Sequence, residues 1–214
     1  MNRADLATLR RDYAGQPLTR AAVDADPFVQ FGGWLDEALS AEITDANAMT
    51  ISTVDADCHP SSRVVLLKGF DHAGFVFFTN YESKKGSDLA TNPYISLSFF
   101  WPQLHRQVSI SGRVEKTSRE DSEKYFKSRP VDSQIAAWAS NQSEVVKSRE
   151  DLEQQFAELS ARYGEQVPRP PHWGGYRVKP AMIEFWQGRD NRLHDRLRYR
   201  LQDNGSWLIE RLAP

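Results

Sequence analysis

Downstream of Trp186, the chain places Arg192, His194 and Arg196 at every second position. In extended backbone, alternate side chains share a face, so two guanidinium groups and an imidazole would stand together beside an indole wall. Such a face is costly to assemble unless an anionic or electron-rich ligand lies against it. The plain alternative is an exposed strand whose charges are balanced by Asp190 and Asp195.

Four further groupings carry the same kind of chemistry. In Arg63-Val64-Val65-Leu66-Leu67-Lys68, two cations bracket an aliphatic run on a predicted strand. Their odd separation points them to opposite faces of a regular strand, so they would serve different ligands or different ends of one site. A core strand with charged ends explains the spacing equally well. Ser83-Lys84-Lys85 falls at a predicted helix start, where free backbone N–H groups and two ammonium groups make a phosphate seat; a solvated charge pair is the alternative. Tyr125, Arg129 and Ser133 recur at the spacing of one helical face, and a phenol, a guanidinium and a hydroxyl are the donors a phosphate monoester accepts. Pro130 interrupts that helix, so Ser133 aligns only if the chain resumes smoothly; a core tyrosine with two surface neighbours fits as well. Gln107, Gln142 and Ser143 could read the polar edge of a planar heterocycle, or belong to solvated loops.

The elements that must position these groups are mostly strands. Apolar and β-branched runs at Met49–Val54, Ser62–Leu67 and Phe75–Thr79 are separated by turn signals at about ten-residue intervals, a pattern of consecutive antiparallel strands. Tyr94–Trp101, Gln107–Lys116, Met182–Gln187, Leu197–Gln202 and Trp207–Leu212 read as further strands, the last two joined at Asp203-Asn204-Gly205. Helices are expected over 28–40, 83–91, from Ser118 to about Ser128, and from Ser148 to Tyr163, with serine caps at the last two. Gly32-Gly33 weakens the first by roughly 1 kcal/mol per glycine. Helices inserted between strands argue for a closed antiparallel barrel with peripheral helices rather than a doubly wound parallel sheet.

Composition narrows the partners. The 214 residues carry a net charge of −2, which disfavours a general nucleic-acid or membrane-surface binder. Any anion must be caught by local clusters of Arg and Lys. Cys58 is the single cysteine, so neither an intrachain disulfide nor a cysteine zinc site can form. His59, His72, His105 and His172 are scattered without metal-ligand spacing and read as surface or turn residues; no metal is expected. No segment has the ~18 apolar residues of a membrane helix or a signal-peptide core, and a soluble, cytoplasmic protein is the expectation. Gly-x-Gly-x-x-Gly, P-loop and Gly-x-Ser-x-Gly motifs are absent from the sequence.

Taken in order, these pieces resemble the pyridoxine/pyridoxamine 5'-phosphate oxidase family. The resemblance runs from Leu9-Arg10-Arg11-Asp12-Tyr13 through Arg63–Lys68, Tyr125-Phe126-x-Ser128-Arg129-Pro130-x-Asp132-Ser133-Gln134-Ile135, Trp173-Gly174-Gly175-Tyr176-Arg177-Val178, Glu184-Phe185-Trp186-Gln187-Gly188 and Arg192-Leu193-His194-Asp195-Arg196 to the terminal Arg211-Leu212-Ala213-Pro214. It implies a mainly β antiparallel split barrel of Greek-key, FMN-binding type over 27–214, a flexible arm or lid over 1–26, and a homodimer with shared active sites. It also implies oxidation of pyridoxamine or pyridoxine 5'-phosphate to pyridoxal 5'-phosphate, with molecular oxygen reduced to hydrogen peroxide. On this resemblance, Arg63, Lys84 and Lys85 hold the FMN phosphate. Val64, Val65, Leu66, Lys68, Phe78, Thr79, Gln107, Gln142, Ser143, Trp186 and Arg196 complete the cofactor set. Lys68, Tyr125, Arg129 and Ser133 hold the substrate phosphate. Arg192, Leu193 and His194 cover the pyridine ring, with Arg192 and His194 as the catalytic pair, and Arg10, Arg11, Asp12 and Tyr13 close over it. Lys84 departs from the arginine often found there, giving a point charge in place of a fork. A split-barrel flavin reductase and a non-catalytic flavin or pyridoxal-phosphate carrier are the competing readings, and the Tyr125/Arg129/Ser133 grouping speaks against the reductase.

Overall fold

A computed structural model describes Tyr13 and residues 15–214; Arg10, Arg11 and Asp12, and with them most of the expected lid, lie outside the described residues. Helix α1 (Pro27–Ser40) starts where the Asp26 side chain accepts from the backbone N–H of Phe28 and Pro27 takes the first turn. It runs on through Gly32-Gly33 because Phe28, Phe31, Trp34, Leu35 and Ala38 bury its inner face, and tertiary packing outweighs the glycine penalty. Strands β1 (Ala48–Val54), β2 (Pro60–Leu66), β3 (Gly69–Asp71) and β4 (Gly74–Asn80) follow. Next come α2 (Lys84–Thr91), β5 (Tyr94–Trp101), β6 (Arg106–Lys116), α3 (Arg119–Ser128), α4 (Val131–Ala139) and α5 (Arg149–Tyr163). β7 (Trp173–Gln187), β8 (Asp195–Leu201) and β9 (Trp207–Leu212) complete the chain. Ser83, Ser118 and Ser148 cap α2, α3 and α5 by accepting from the backbone N–H groups of Gly86, Asp121 and Asp151.

The strand order is β2-β1-β5-β6-β7-β4-β3, with β8 paired to β7 and β9 to β8. The pairs β1–β2, β3–β4, β4–β7, β7–β8 and β8–β9 are antiparallel. The chain forms two compact units. One comprises Ala48–Leu97 and Ser111–Pro180; the other comprises the described residues up to Asn47 with Ser98–Ile110 and Ala181–Pro214. In the first, Phe126, Ile135, Val167 and Trp173 form a core cluster against which Phe78, Tyr125, Trp138 and Phe156 pack. The core of the second is aromatic. Phe31 meets Phe99 at 5.1 Å between ring centroids, Trp34 meets Phe185 at 5.1 Å, and Phe185 meets Tyr199 at 5.4 Å. Two of its buried rings have their polar ends paired: the Trp101 indole donates to the Ala46 carbonyl, and the Tyr199 hydroxyl to the Asp24 carbonyl.

Four local expectations change. β7 begins at Trp173, well before Met182, because Gly174, Gly175 and Pro180 mask a strand pattern that pairing with β4 enforces. β3 occupies what reads as turn. A separate helix, α4, follows Pro130, with Arg129 extended between it and α3 as the residue before a proline prefers. Residues 190–194 are not a strand: Asp190–Arg192 is a 3-10 turn in which Asn191 and Arg192 have φ of 56° and 61°.

β6 and β7 approach so closely at Gly112 that an added Cβ would lie 2.0 Å from the Lys179 carbonyl oxygen. Gly112→Ala is expected to destabilise the protein by about 1–3 kcal/mol through forced backbone separation, read as a lowered denaturation midpoint in urea.

Candidate active site

The first unit contains a cavity of about 870 Å³. Its walls come from β2, β4, the start of α2, the α3–α4 junction and the loop after α4. Arg63, Val64, Val65, Leu66 and Lys68 line it together with Phe78, Thr79, Lys84 and Lys85, and with Tyr125, Arg129, Ser133, Gln142 and Ser143. Sequence positions from 63 to 143 that pattern alone left ambiguous are thus gathered on one surface. Arg63 and Lys68 both reach it, because β2 ends at Leu66 and Lys68 lies beyond the regular strand, its backbone N–H donating to the Val76 carbonyl. Strict strand alternation therefore does not govern this pair. Tyr125, Arg129 and Ser133 do not share one helix, yet the bend at Arg129-Pro130 still brings all three to the cavity.

Phosphate-type donors are concentrated in two sets. In the first, Arg63 Nη1 and Nη2 donate to the hydroxyls of Thr53 (2.7 Å) and Ser61 (2.6 Å). Lys85 Nζ donates to Thr79, Ser83 and Gln142. Burial pushes the Lys85 ammonium down to about 8, with the neighbouring Arg63 charge adding to the shift. Burial likewise lowers the Arg63 guanidinium, against a smaller pull from Asp88. Lys84 is differently placed: its Nζ bridges the carboxylates of Asp88 (2.6 Å) and Asp55 (3.1 Å), so its charge is already matched. Asp55 in turn caps the β1–β2 turn by accepting from the backbone N–H groups of Asp57 and His59, and the three side chains gather there at the surface.

The second set surrounds Arg129. Its guanidinium lies over the Trp173 ring at 4.7 Å, and its Nη1 is buried with no hydrogen-bond partner. Burial pushes this guanidinium below its usual value, with the Tyr125 phenol pulling the other way. An unpaired buried donor on a cation costs free energy that an anion would recover. Phe78, Tyr125 and Trp173 add a wall of near-parallel rings, Phe78 and Tyr125 stacking at 4.0 Å and 20°. Gln142, expected either to read a heterocycle edge or to be solvated, is exposed but held: its Oε1 accepts from Lys85 and Thr79. Cations without carboxylate partners, stacked rings and amide donors together fit a phosphorylated aromatic ligand such as FMN.

The remaining candidates belong to the second unit. Arg192, His194 and Arg196 do not share a strand face, since β8 starts at Asp195 and the turn before it breaks the alternation. Arg192 and Leu193 are exposed. Arg196 forms a forked ion pair with Glu184 (2.7 and 3.0 Å) and donates to the Ala213 carbonyl. His194 Nδ1 accepts from the Arg189 backbone N–H at 3.1 Å, so the neutral ring carries its proton on Nε2 and can act there as a donor. The Tyr13 ring meets His105, His194 and Trp186 edge-on at 5.0, 5.5 and 5.8 Å. Gly188 makes room for it, since a Cβ there would lie 2.9 Å from that ring. The amide of Gln107 donates to the Ser109 hydroxyl. Sequence reasoning missed His105, Thr53, Ser61, Asp88 and Trp173. Of these only Asp88, spaced one helical turn from Lys84, carried a readable pairing signal.

Comparison with known proteins agrees with the fold. Residues 35–163 match the family model described as "Pyridoxamine 5'-phosphate oxidase", and residues 173–214 that of the "Pyridoxine 5'-phosphate oxidase C-terminal dimerisation region". The chain belongs to the pyridoxine/pyridoxamine 5'-phosphate oxidase family and is an oxidoreductase. It is 56% identical to the pyridoxine/pyridoxamine 5'-phosphate oxidase of Bordetella petrii over 98% of this chain and 99% of that protein. To the protein of the same name from Nostoc punctiforme it is 54% identical, with 98% of each covered. Among solved structures it resembles PhzG from Burkholderia lata 383, crystallised with tetrahydrophenazine-1-carboxylic acid (TM-score 0.87, 32% identity, 94% of this chain and 99% of that one). A pyridoxamine 5'-phosphate oxidase-related, FMN-binding protein from Nostoc punctiforme shares the fold (TM-score 0.69, 15% identity, 85% and 96% covered). The expected split-barrel class is the fold of these relatives. Among the described residues no helix is long and apolar enough to cross a membrane.

Lys85 gives the cavity a pH dependence. Its ammonium is lost near pH 8 in the ligand-free fold but near its ordinary 10.5 in the unfolded chain. Between these values the unfolded chain holds the extra proton, so this group makes ligand-free stability rise with pH. Over the same range the cavity loses a positive charge. Phosphate-ester affinity is therefore expected to fall as pH rises through about 8, and Lys85→Met to remove that step, both read from FMN titrations of flavin-free protein at a series of pH values.

Proposed function

We propose that this protein catalyses the FMN-dependent oxidation of pyridoxamine 5'-phosphate or pyridoxine 5'-phosphate to pyridoxal 5'-phosphate, with molecular oxygen reduced to hydrogen peroxide. The observation that carries this reading is the buried Arg129 Nη1, which has no partner in a cavity that already holds a second, separate pair of cations without direct carboxylate partners, Arg63 and Lys85. One cavity with two sets of phosphate donors suits a phosphorylated cofactor and a phosphorylated substrate. The names and high identity of the full-length relatives support the same choice.

In this reading Arg63 and Lys85, with Lys84 at the rim, hold the FMN phosphate. Val64, Val65, Leu66, Phe78, Thr79, Gln142 and Ser143 frame the flavin, and Gln107, Trp186 and Arg196 complete the cofactor set. Lys68, Tyr125, Arg129 and Ser133 bind the substrate phosphate and fix where its ring lies, turning binding energy at the phosphate into orientation at the reacting carbon. Arg192 covers the pyridine ring, and His194 donates from Nε2 to the amine or alcohol. Arg10, Arg11, Asp12 and Tyr13 close over the substrate and exclude water. The chemistry supplied by bound FMN is acceptance of a hydride equivalent from the substrate carbon and delivery of the two electrons to oxygen. A homodimer with shared active sites belongs to the reading, since Arg192 and His194 lie in the segment that matches the dimerisation model.

PhzG is recorded with a tricyclic carboxylic acid, so an unphosphorylated substrate is the contrasting case. Anaerobic addition of pyridoxamine 5'-phosphate to the flavin-loaded protein is expected to bleach the visible flavin absorption, and admission of air to restore it with one peroxide per turnover. Arg192→Ala should slow the bleaching. Equal bleaching by unphosphorylated pyridoxamine, or none with either, would refute the assignment.

A further inference from the structure

Asp88 is the only buried carboxylate among the described residues, at 3% exposure, and the chemistry above leaves it unused. It lies on α2, one turn past Lys84. Its Oδ1 accepts from Lys84 Nζ at 2.6 Å, and its Oδ2 from the hydroxyls of Thr53 (2.7 Å) and Ser61 (3.3 Å). Thr53 and Ser61 face each other across β1 and β2, and each accepts one N–H of Arg63. A hydroxyl has a single proton. Once that proton is given to Asp88, only lone pairs are left to meet Arg63, so the carboxylate fixes the direction of both hydrogen bonds to the guanidinium. Two of the five N–H groups of Arg63 are spent in this way, and the other three are left for a ligand.

We propose that Asp88 is a positioning residue for the phosphate cradle: through the Thr53 and Ser61 hydroxyls it holds the Arg63 fork in the orientation that receives the phosphate ester. The proposal rests on the reading that Arg63 and Lys85 hold the FMN phosphate. A carboxylate in direct contact with a phosphate would repel it. Here the hydroxyl layer keeps Asp88 one hydrogen bond behind the cation, and Lys84 offsets its charge. Asp88 also supplies a negative charge that partly offsets the Arg63 guanidinium before any anion arrives.

The test compares FMN with riboflavin, which lacks the phosphate, by quenching of flavin fluorescence on titration with the flavin-free full chain. The parent is expected to prefer FMN strongly. Asp88→Asn should weaken FMN binding by about 10-fold or more, the scale of an ordered charge-assisted hydrogen bond, and leave riboflavin binding unchanged. Thr53→Val should act in the same direction, and the double variant should be no worse than the weaker-binding single one, because both changes cut one relay. Unchanged or tighter FMN binding in Asp88→Asn overturns the proposal. So does equal loss of FMN and riboflavin with a lowered melting temperature, which is the mark of a purely structural carboxylate. Should Asp88→Asn fail to fold, Thr53→Val decides: a reduced FMN-to-riboflavin ratio supports the relay and an unchanged ratio overturns it. A parent that binds both flavins alike defeats the cradle reading itself, a result distinct from failure of Asp88 alone.

Discussion

The withdrawal of Arg63 and Arg129 partly, and of Lys85 almost wholly, from solvent without direct carboxylate partners is the constraint on which the rest of the first unit depends. A buried cation is tolerated when its N–H groups are satisfied and an opposite charge is near. Here hydroxyls, amides and an aromatic face supply only part of that need. The remaining cost is held by the fold: the β1–β2 ladder sets Thr53 opposite Ser61, both within reach of Arg63, Ser83 caps α2 and also accepts from Lys85, and the α3–α4 bend places Arg129 over Trp173. Stability that these elements contribute elsewhere is what keeps an electropositive cavity open for anions.

Contrast with the second unit sharpens the point. There the basic residues are largely matched: Arg196 is forked onto Glu184, Arg106 onto Glu37 and Gln187, and Asp195 meets both Arg189 and Arg211. The groups without a carboxylate partner are instead the Nε2 of His194, whose ring lies against those of Tyr13 and Trp186, and the exposed Arg192. In the proposed reading the first unit offers charge for phosphate and the second offers donors and rings for a planar heterocycle.

Much of this was legible in the sequence because it is local. Serine caps, the Asn204-Gly205 turn and the alternating strands 48–54 and 94–101 follow from residue types over a few positions. The cavity residues were legible as separate short groupings whose ambiguity, core strand or ligand site, only the fold resolves. What could not be read depends on distant partners. Trp173 reads as a loop residue until β4 pairs with β7. The relay from Asp88 to Arg63 needs α2 packed against β1 and β2. The apparent strand alternation of Arg192, His194 and Arg196 failed because Asn191 and Arg192 adopt left-handed backbone, which no side-chain periodicity announces.

In the proposed reading the partnerless Arg129 donor receives the substrate phosphate. That role is tested most directly by titrating the flavin-loaded protein with pyridoxal 5'-phosphate and with pyridoxal, for the parent and for Arg129→Met. The parent is expected to prefer the phosphate ester by about 100-fold or more, and Arg129→Met to remove about 10- to 100-fold of that preference. A preference that survives Arg129→Met undiminished would contradict it.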